Sequence, residues 1–180
     1  MRIISGNLKS RIINVPKSVK NLRPTTDRAR ETLFNILSVR IPLEEKTVLD
    51  LFCGSGSFGI ECISRGSSKC YFVDLFPKTA EENVINLGVS ENSVIVRNDS
   101  VRFLRSNPEI DFDMAFADPP YDYKEYDKFL LEFAKHKKIL ILEHTDKFIP
   151  KQIHQSYLFL RKVIGISVFS FFDFKEYHEE

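Results

Sequence analysis

The sequence predicts an α/β fold, in which a mostly parallel β-sheet carries helices on both faces and an antiparallel hairpin at one edge. After Pro42, short apolar runs alternate with helical segments, as in parallel sheets with helical crossovers. A glycine-rich loop follows the first of these runs, and the last two β-rich runs are separated only by Ile164-Gly165. With 180 residues and no linker, we expect one domain over residues 1–180, with a basic N-terminal arm at 1–21 and a core at 22–180.

The first residues are predicted to form a short β-hairpin. Two Arg-Ile-Ile triplets, at 2–4 and 11–13, flank the turn-rich Ser5-Gly6-Asn7. A helix is predicted to begin near Thr25–Asp27, because each of these residues can cap a first turn. Its apolar positions recur at helical spacing at Ala29, Leu33, Ile36 and Leu37.

The alternation that follows defines seven strands and the helices between them. The predicted strands are Thr47–Phe52, Lys69–Asp74, Ser93–Arg97, Phe112–Ala117, Ile139–Glu143, Tyr157–Val163 and Ile166–Phe174. The predicted helical segments are Ser57–Arg65, Pro77–Leu87, the short Val101–Leu104 and Tyr123–Lys135.

Positive charge is concentrated near the N-terminus. The net charge of the chain is +1, but residues 1–40 carry +7 and the remainder carries −6. Such a basic segment is typical of proteins that bind phosphate backbones and release counterions, although a solvated cationic surface has the same composition. We therefore expect Arg2, Lys9 and Arg11 to contact phosphates of a nucleic acid.

Cysteine and histidine spacing indicates no metal site. The three cysteines form no CxxC pair and the four histidines are scattered, so reduced thiols and no bound metal are expected. No apolar run has the length of a membrane span, and the basic start lacks the apolar stretch of a signal peptide. These features predict a cytoplasmic protein without membrane contact, and we expect a monomer.

The glycine loop at residues 52–59 predicts a site for an adenosine-containing cofactor. Gly54, Gly56 and Gly59 satisfy GxGxxG directly after the first parallel strand, and Asp74 ends the next strand. Glycines allow a tight turn and close approach of a ligand to the backbone, while an acid at the second strand's tip can accept hydrogen bonds from ribose hydroxyls. Phe52, as part of this loop, is included in the predicted site.

Two further acids favour S-adenosylmethionine over a dinucleotide. Asp50 lies just before the loop, where a carboxylate suits the ammonium group of S-adenosylmethionine and would oppose a pyrophosphate. Asp99, at the tip of the third strand, can accept from the adenine amine. A helix cap for Asp50 and a turn for Asp99 are the structural alternatives. Parallel strands followed by a terminal hairpin also fit the methyltransferase variant of this fold better than the dinucleotide-binding one.

Asp118-Pro119-Pro120-Tyr121 ends the fourth strand and is the most specific motif in the chain. An exocyclic amine on a base is a poor nucleophile because its lone pair is delocalised into the ring. The Asp118 carboxylate and the Pro119 carbonyl can each accept one N–H and align the lone pair with the methyl donor. Pro119 and Pro120 fix the backbone, and Tyr121 offers a face on which a base can stack. The motif therefore predicts N-methylation of a base that is flipped out or unpaired.

Three segments together identify the sequence as a member of the RsmD family, the bacterial small-subunit ribosomal RNA guanine-N2 methyltransferases. They are the LRPTTDRARETLFN segment at 22–35, Leu49–Gly59, and Asp118–Tyr121. The similarity also includes the opening Arg-Ile-Ile-Ser-Gly and covers nearly the whole chain. It implies a Rossmann-like class I S-adenosylmethionine-dependent methyltransferase fold, and N2 of one guanine in 16S RNA as acceptor, within ribosomal RNA or an assembling 30S subunit.

The resemblance also implies roles for individual residues. Asp50, Gly54, Gly56 and Asp74 match the cofactor motifs of the family, and Asp118–Tyr121 matches its catalytic motif. Arg23, Thr25 and Arg28 are expected near the mouth of the active site, with the N-terminal arm against RNA.

Three other functions remain compatible with parts of the sequence. A DNA adenine-N6 methyltransferase uses the same Asp-Pro-Pro-aromatic chemistry, although 180 residues leave little room for a target-recognition domain. A nicotinamide oxidoreductase would use the glycine loop and Asp74, but it gives no role to Asp118–Tyr121. A noncatalytic RNA-binding module would bind ligands without methyl transfer.

Overall fold

A seven-stranded sheet with helices on both faces forms the part of the chain that the computed structural model describes, residues 1–15 and 27–178. The strands are β1 Thr47–Leu51, β2 Lys69–Asp74, β3 Ser93–Arg97, β4 Met114–Ala117, β5 Ile139–His144, β6 Leu158–Ile164 and β7 Ser167–Asp173. The helices are α1 Asp27–Arg40, α2 Ser57–Ser64, α3 Lys78–Leu87, α4 Ser100–Ser106, α5 Tyr126–Ala134 and α6 Gln152–Gln155, with a 3₁₀ turn at Ser90–Asn92.

The strand order is β3-β2-β1-β4-β5-β7-β6, with β1 to β5 parallel and β7 antiparallel to both of its neighbours. The chain moves outward from β1 to β3 and then returns to the other side of β1 with β4. Such a reversal opens a crevice at the carboxyl ends of the two central strands, where ligands bind in this architecture. Leu51 of β1 pairs with Ala117 of β4, so the glycine loop and the Asp118–Tyr121 motif leave the sheet side by side.

Aromatic side chains fill two cores, one on each face of the sheet. The chain has 16 phenylalanines and no tryptophan. One core packs α1, α2 and α3 against the sheet through residues that include Phe34, Phe58 and Phe72. The other packs α4 and α5 through residues that include Phe129 and Phe133. Both faces of the central strands are therefore buried, which explains why they read as continuous apolar runs.

The predicted α/β class, the seven strands and the terminal hairpin are confirmed. Several ends differ. β1 stops at Leu51 because Phe52 takes a left-handed conformation with φ of 57°, and the short helix predicted at 101–104 extends over Ser100–Ser106. The sequence pattern missed the 3₁₀ turn and α6, which are too short to show a period.

Residues 1–15 pair as predicted, and they pack against the rest of the domain. The antiparallel pairing is reduced to one bridge, between Arg2 and Ile12. Ile3 and Ile13 are each 1% exposed and belong to the core beneath α2. The backbone N–H groups of Ile4 and Ser5 donate to the carboxylate of Glu61 in α2, at 2.7 and 3.0 Å.

Candidate active site

The glycine loop turns sharply at the carboxyl end of β1 and presents open backbone. Gly54 and Gly56 take left-handed conformations, with φ of 53° and 74°, and Gly56 is the N-cap of α2. At Gly54 a Cβ would meet no atom closer than 4.0 Å, so a ligand can lie against the backbone there. At Gly56 a Cβ would lie 3.1 Å from both Ala80 and Phe72, so this glycine allows close packing beneath the loop.

Asp74 joins the loop to the end of β2. Its Oδ2 accepts the N–H of Gly54 at 2.9 Å, and its Oδ1 accepts the N–H of Phe76 at 2.8 Å. Each carboxylate oxygen can accept a second hydrogen bond, and the side chain is only half-buried. Asp74 is therefore fixed in place while it remains able to accept hydroxyl groups from a ligand.

Asp50 lies beneath the loop and holds it to the first turn of α2. It is 2% exposed, and its Oδ2 accepts the N–H of Gly59 at 3.0 Å. Burial raises the pKa of Asp50 well above its usual range, the Gly59 hydrogen bond opposes this, and the charge of Asp74 adds to it. Gly59 has no room for a side chain, because a Cβ would lie 2.4 Å from Phe72 and 2.5 Å from the Cys70 sulfur. This hydrogen bond gives Asp50 the helix-capping role that was its structural alternative. Its contact with the ammonium group of a ligand stays a prediction.

Asp99 caps α4 at the tip of β3. Its Oδ1 accepts the N–H of Arg102 at 2.9 Å, which is an N-cap interaction. The hydroxyl of the neighbouring Ser100 accepts the N–H of Phe52 at 3.3 Å. The tips of β1 and β3 are thereby connected, and the predicted contact of Asp99 with adenine stays a prediction.

These residues fit a bound S-adenosylmethionine. The open backbone at Gly54 provides a surface for the ligand, and Asp74 provides acceptors for a diol. Phe52 packs its ring 5.4 Å from Tyr123 and 5.7 Å from Phe129, so the wall on the other side of the loop is aromatic.

The Asp118–Tyr121 motif begins directly beside the glycine loop. The N–H of Asp118 donates to the carbonyl of Leu51 at 3.4 Å, and the N–H of Tyr123 donates to the carbonyl of Pro120 at 2.8 Å. The second bond closes a turn that begins at Pro120. Pro119 is buried, while Tyr121 is 40% exposed and stands at the surface. The backbone of the motif is thus fixed and its aromatic end is accessible.

The carboxylate of Asp118 lies in a field of other acids. The surrounding protein and the charges of Glu143 and Asp50 raise the pKa of Asp118 well above its usual range. Since the side chain keeps an exposed surface, water moderates the effect of burial, and we assign more of the shift to the two carboxylates. Burial, Asp118 and Glu143 also raise the pKa of Tyr126 to about 12, which keeps this phenol protonated.

A cleft beside Asp118 contains residues that the sequence patterns did not single out. Its enclosed volume is about 40 Å³, well below that of a small-molecule site, so the lining would have to move to admit a base. Its lining comprises Arg30, Leu33, Phe34, Ser57, Phe58, Phe116, Asp118 and Glu143. Phe58 stacks on Phe116 at 4.1 Å and on Phe34 at 5.2 Å. The charged lining is one cation and two carboxylates.

One of these residues was accessible to sequence reasoning. Glu143 is an acid at the carboxyl end of a parallel strand, the same signal that pointed to Asp50 and Asp118. Arg30 lies inside the segment 22–35, but only the packing of α1 brings it to the cleft. The three phenylalanines gave no signal, because they resemble any core residue.

The predicted RNA-binding residues are distributed over the surface. Arg2, Lys9, Arg11 and Arg28 are exposed, and Arg23 and Thr25 lie outside the described residues. The backbone of Asn7 donates to Ser64 at the end of α2, and Arg11 donates to the carbonyl of Asn86 near the end of α3. Because both helices run from the carboxyl edge of the sheet to its amino edge, Lys9 and Arg11 lie toward the edge away from Asp118. Their contact with RNA stays a prediction.

Neither a membrane-spanning helix nor a metal-binding cluster is found among residues 1–15 and 27–178. Among them, no helix is long and apolar enough to span a membrane. Within the same ranges, no group of three or more His, Cys, Asp or Glu side chains is placed to hold a metal ion. The three cysteines are buried free thiols.

Comparison with solved structures defines the class of the protein. The chain superposes on a protein described as a methyltransferase, yhhF of Escherichia coli, with a TM-score of 0.79 and 25% identity, covering 96% of this chain and 97% of the other. A protein of Thermus thermophilus gives a TM-score of 0.81 and 26% identity, with 96% of this chain and 99% of the other covered. The fold is that of class I S-adenosylmethionine-dependent methyltransferases, and S-adenosylmethionine is the cofactor of this class.

Comparison of sequences defines the family. A family model described as "Conserved hypothetical protein 95" matches residues 1–173. YlbH of Bacillus subtilis, described as an rRNA methyltransferase, is 30% identical over 178 residues, covering 93% of this chain and 95% of the relative. Ribosomal RNA small subunit methyltransferase D of Buchnera aphidicola is 41% identical over 122 residues, which is 66% of this chain and 62% of that relative. The chain belongs to the RsmD family, as the three sequence segments indicated.

Proposed function

We propose that this protein transfers a methyl group from S-adenosylmethionine to the exocyclic N2 amine of a guanine in small-subunit ribosomal RNA. The observation that carries the proposal is the junction of the two motifs. The glycine loop after β1 and Asp118 after β4 are adjacent, joined by the hydrogen bond from Asp118 N–H to the Leu51 carbonyl. A cofactor on the loop and a base at Asp118 would therefore meet at the carboxyl ends of the two central strands.

The Asp118 motif supplies what an amine substrate needs. Its carboxylate and the carbonyl of Pro119 each accept one N–H, so that the nitrogen lone pair points at the methyl donor. When bound, S-adenosylmethionine would supply an electrophilic methyl group, with the neutral thioether as leaving group, and the methylated nitrogen would release one proton to solvent. Asp118 stabilises the positive charge that develops on nitrogen, an electrostatic effect of groups already held in position.

The surroundings of the motif favour an unpaired base. Pro119 is buried and the following turn is closed by the Tyr123 hydrogen bond, so the backbone acceptor of the motif is held within the domain. A base must enter the cleft on its own, either flipped or already unpaired. Tyr121, at 40% exposure, is available to stack on such a base, an interaction worth about 1–3 kcal/mol.

Ribosomal RNA as the substrate is supported by the relatives and by the charge distribution. The Buchnera relative carries small-subunit ribosomal RNA in its name, and the Bacillus relative carries rRNA. The +7 charge of residues 1–40 fits a polyanionic partner. We place the protein in the cytoplasm, where its three free thiols remain reduced, and expect it to act as a monomer on ribosomal RNA or an assembling 30S subunit.

The test is transfer of labelled methyl from S-adenosylmethionine to unmodified small subunits, protein-free small-subunit RNA and DNA in parallel, followed by nucleoside analysis. We expect N2-methylguanosine in RNA. N6-methyladenine in DNA would keep the fold and the chemistry but overturn the substrate. Binding of the cofactor without any transfer would overturn the enzymatic proposal, and binding of a nicotinamide dinucleotide in its place would overturn the cofactor assignment.

A further inference from the structure

We infer that Glu143 selects guanine over adenine at this site, a conclusion that rests on the proposed function. Asp118 and Pro119 accept N–H groups and do not distinguish the amine of guanine from that of adenine. Selectivity therefore needs a second group that contacts the position next to the amine on the ring. Glu143 is the second carboxylate of the same cleft.

The sheet places Glu143 next to Asp118. β4 and β5 are parallel neighbours, and their last paired residues are Ala117 and Leu142. Asp118 and Glu143 are the next residue on each strand, so they lie side by side at the carboxyl edge. The charge of Glu143 is among the causes that raise the pKa of Asp118, as expected for neighbours.

Glu143 is built into the structure as a hydrogen-bond acceptor. It is 3% exposed, and the hydroxyl of Ser167 on β7 donates to its Oε1 at 2.6 Å. This bond fixes the carboxyl group, and a carboxylate oxygen can accept more than one hydrogen bond. Three phenylalanines also line the cleft, beside Leu33, Ser57 and Arg30, and among them Phe58 stacks on Phe116 at 4.1 Å.

The hydrogen-bonding edge of guanine matches this pair of carboxylates. Guanine presents two adjacent donors, its N2 amine and N1–H, beside the O6 acceptor. With the amine on Asp118, N1–H would donate to Glu143, and Arg30, which supplies only donors, lines the same cleft. Adenine carries an unprotonated N1 beside its amine. That nitrogen would face the Glu143 carboxylate with no proton between them. Both acceptors would then lack a donor, which weakens binding of the transition state.

The test uses a base that keeps the amine but lacks the N1 proton and O6, so the change of preference in a Glu143 variant, and not the wild-type preference alone, reports on N1. The target guanosine, located by nucleoside analysis of the wild-type product, is replaced by 2-aminopurine riboside in small-subunit RNA assembled by ligation. We expect the wild-type protein to prefer guanine by on the order of 10- to 100-fold in kcat/KM. Glu143→Gln should lower transfer to guanine and reduce this preference to about 3-fold or less, because an amide can donate to the unprotonated N1.

A neighbouring variant serves as the matched control. Ser170→Ala removes a buried hydroxyl that contacts His144, the residue after Glu143, at 2.8 Å. It disturbs the same strands without altering the carboxylate and should keep the preference for guanine. An equal loss on both bases in Glu143→Gln, or an unchanged preference, would overturn the inference while N2-methylguanosine formation still supports the proposed function. A wild-type protein that methylates no guanine, or that methylates adenine, would overturn both.

Discussion

Arg30 and Glu61 form a buried ion pair behind the cleft that contains Asp118, with 3.4 Å between Nη2 and Oε2. Arg30 belongs to α1 and Glu61 to α2, and both side chains are at most 5% exposed. The Glu61 carboxylate also accepts the N–H groups of Ile4 and Ser5, and Arg65 donates to it at 2.7 Å. One carboxylate therefore connects the N-terminal segment to a cation of the active-site cleft.

Replacement of Glu61 should destabilise the protein strongly. Glu61→Gln removes the carboxylate that pairs with the buried Arg30, and breaking a buried pair typically costs about 3–5 kcal/mol of the free energy of unfolding. The measurement is denaturant unfolding, combined with limited proteolysis of residues 1–15. Glu82→Gln is the control, because its pair with Lys78 is exposed and 3.8 Å long, and such pairs contribute about 0–1 kcal/mol. Equal stabilities of the two variants would contradict the central role of Glu61.

Replacement of Asp118 should separate catalysis from cofactor binding. Asp118→Ala removes one of the two acceptors for the amine, so methyl transfer should fall by at least about 100-fold. S-adenosylmethionine affinity, measured by calorimetry, should stay within about 3-fold, because Asp118 holds the loop only through its backbone N–H. Asp118→Asn keeps one acceptor oxygen and should retain more activity than Asp118→Ala. Loss of cofactor binding in either variant would contradict this division of roles.

As the pH is lowered, methyl transfer should be lost at a higher pH than the usual pKa of an aspartate predicts. Burial and the charges of Glu143 and Asp50 raise the pKa of Asp118, and the ionised form of this carboxyl group accepts the hydrogen bonds of the amine. Activity is therefore complete above the raised pKa and lost as the pH falls through it. Glu143→Gln removes one of the charges that raise this pKa, so the acidic limb of its rate profile should move to lower pH. A limb that stays in place in Glu143→Gln would assign the titration to another group.

Removal of charge from the N-terminal segment should weaken the salt dependence of RNA binding. The triple variant replaces the exposed Arg2, Lys9 and Arg11 by alanine. It should reduce the slope of log affinity against log salt by up to ~2, because each phosphate that the protein neutralises on a single strand adds roughly 0.7 to the slope. The control replaces three exposed lysines on the α5 side at the amino edge of the sheet: Lys135, Lys137 and Lys175. If both triple variants change the slope equally, the N-terminal residues make no specific contact with RNA.

The sequence by itself determined the class of the protein and the two motifs of its site. The alternation of strand and helix patterns defined the sheet, because burial on both faces forces continuous apolar strands. The loop at Gly54–Gly59 and the Asp118–Tyr121 motif were visible because they are contiguous in the chain and their chemistry depends on residue type. Their positions at strand ends followed from the topology rule for parallel sheets.

Only the tertiary structure decided which other residues share the site. Arg30, Phe58 and Glu143 are far apart in the chain, and they meet because α1 and α2 pack on one face of the sheet while β5 lies beside β4. The same packing made residues 1–15 a part of the domain, since Ile3 and Ile13 are buried in its core. A local sequence pattern shows residue types and their spacing within one segment. Contacts between distant segments depend on how the helices and strands pack, and the pattern of a single segment does not determine that packing.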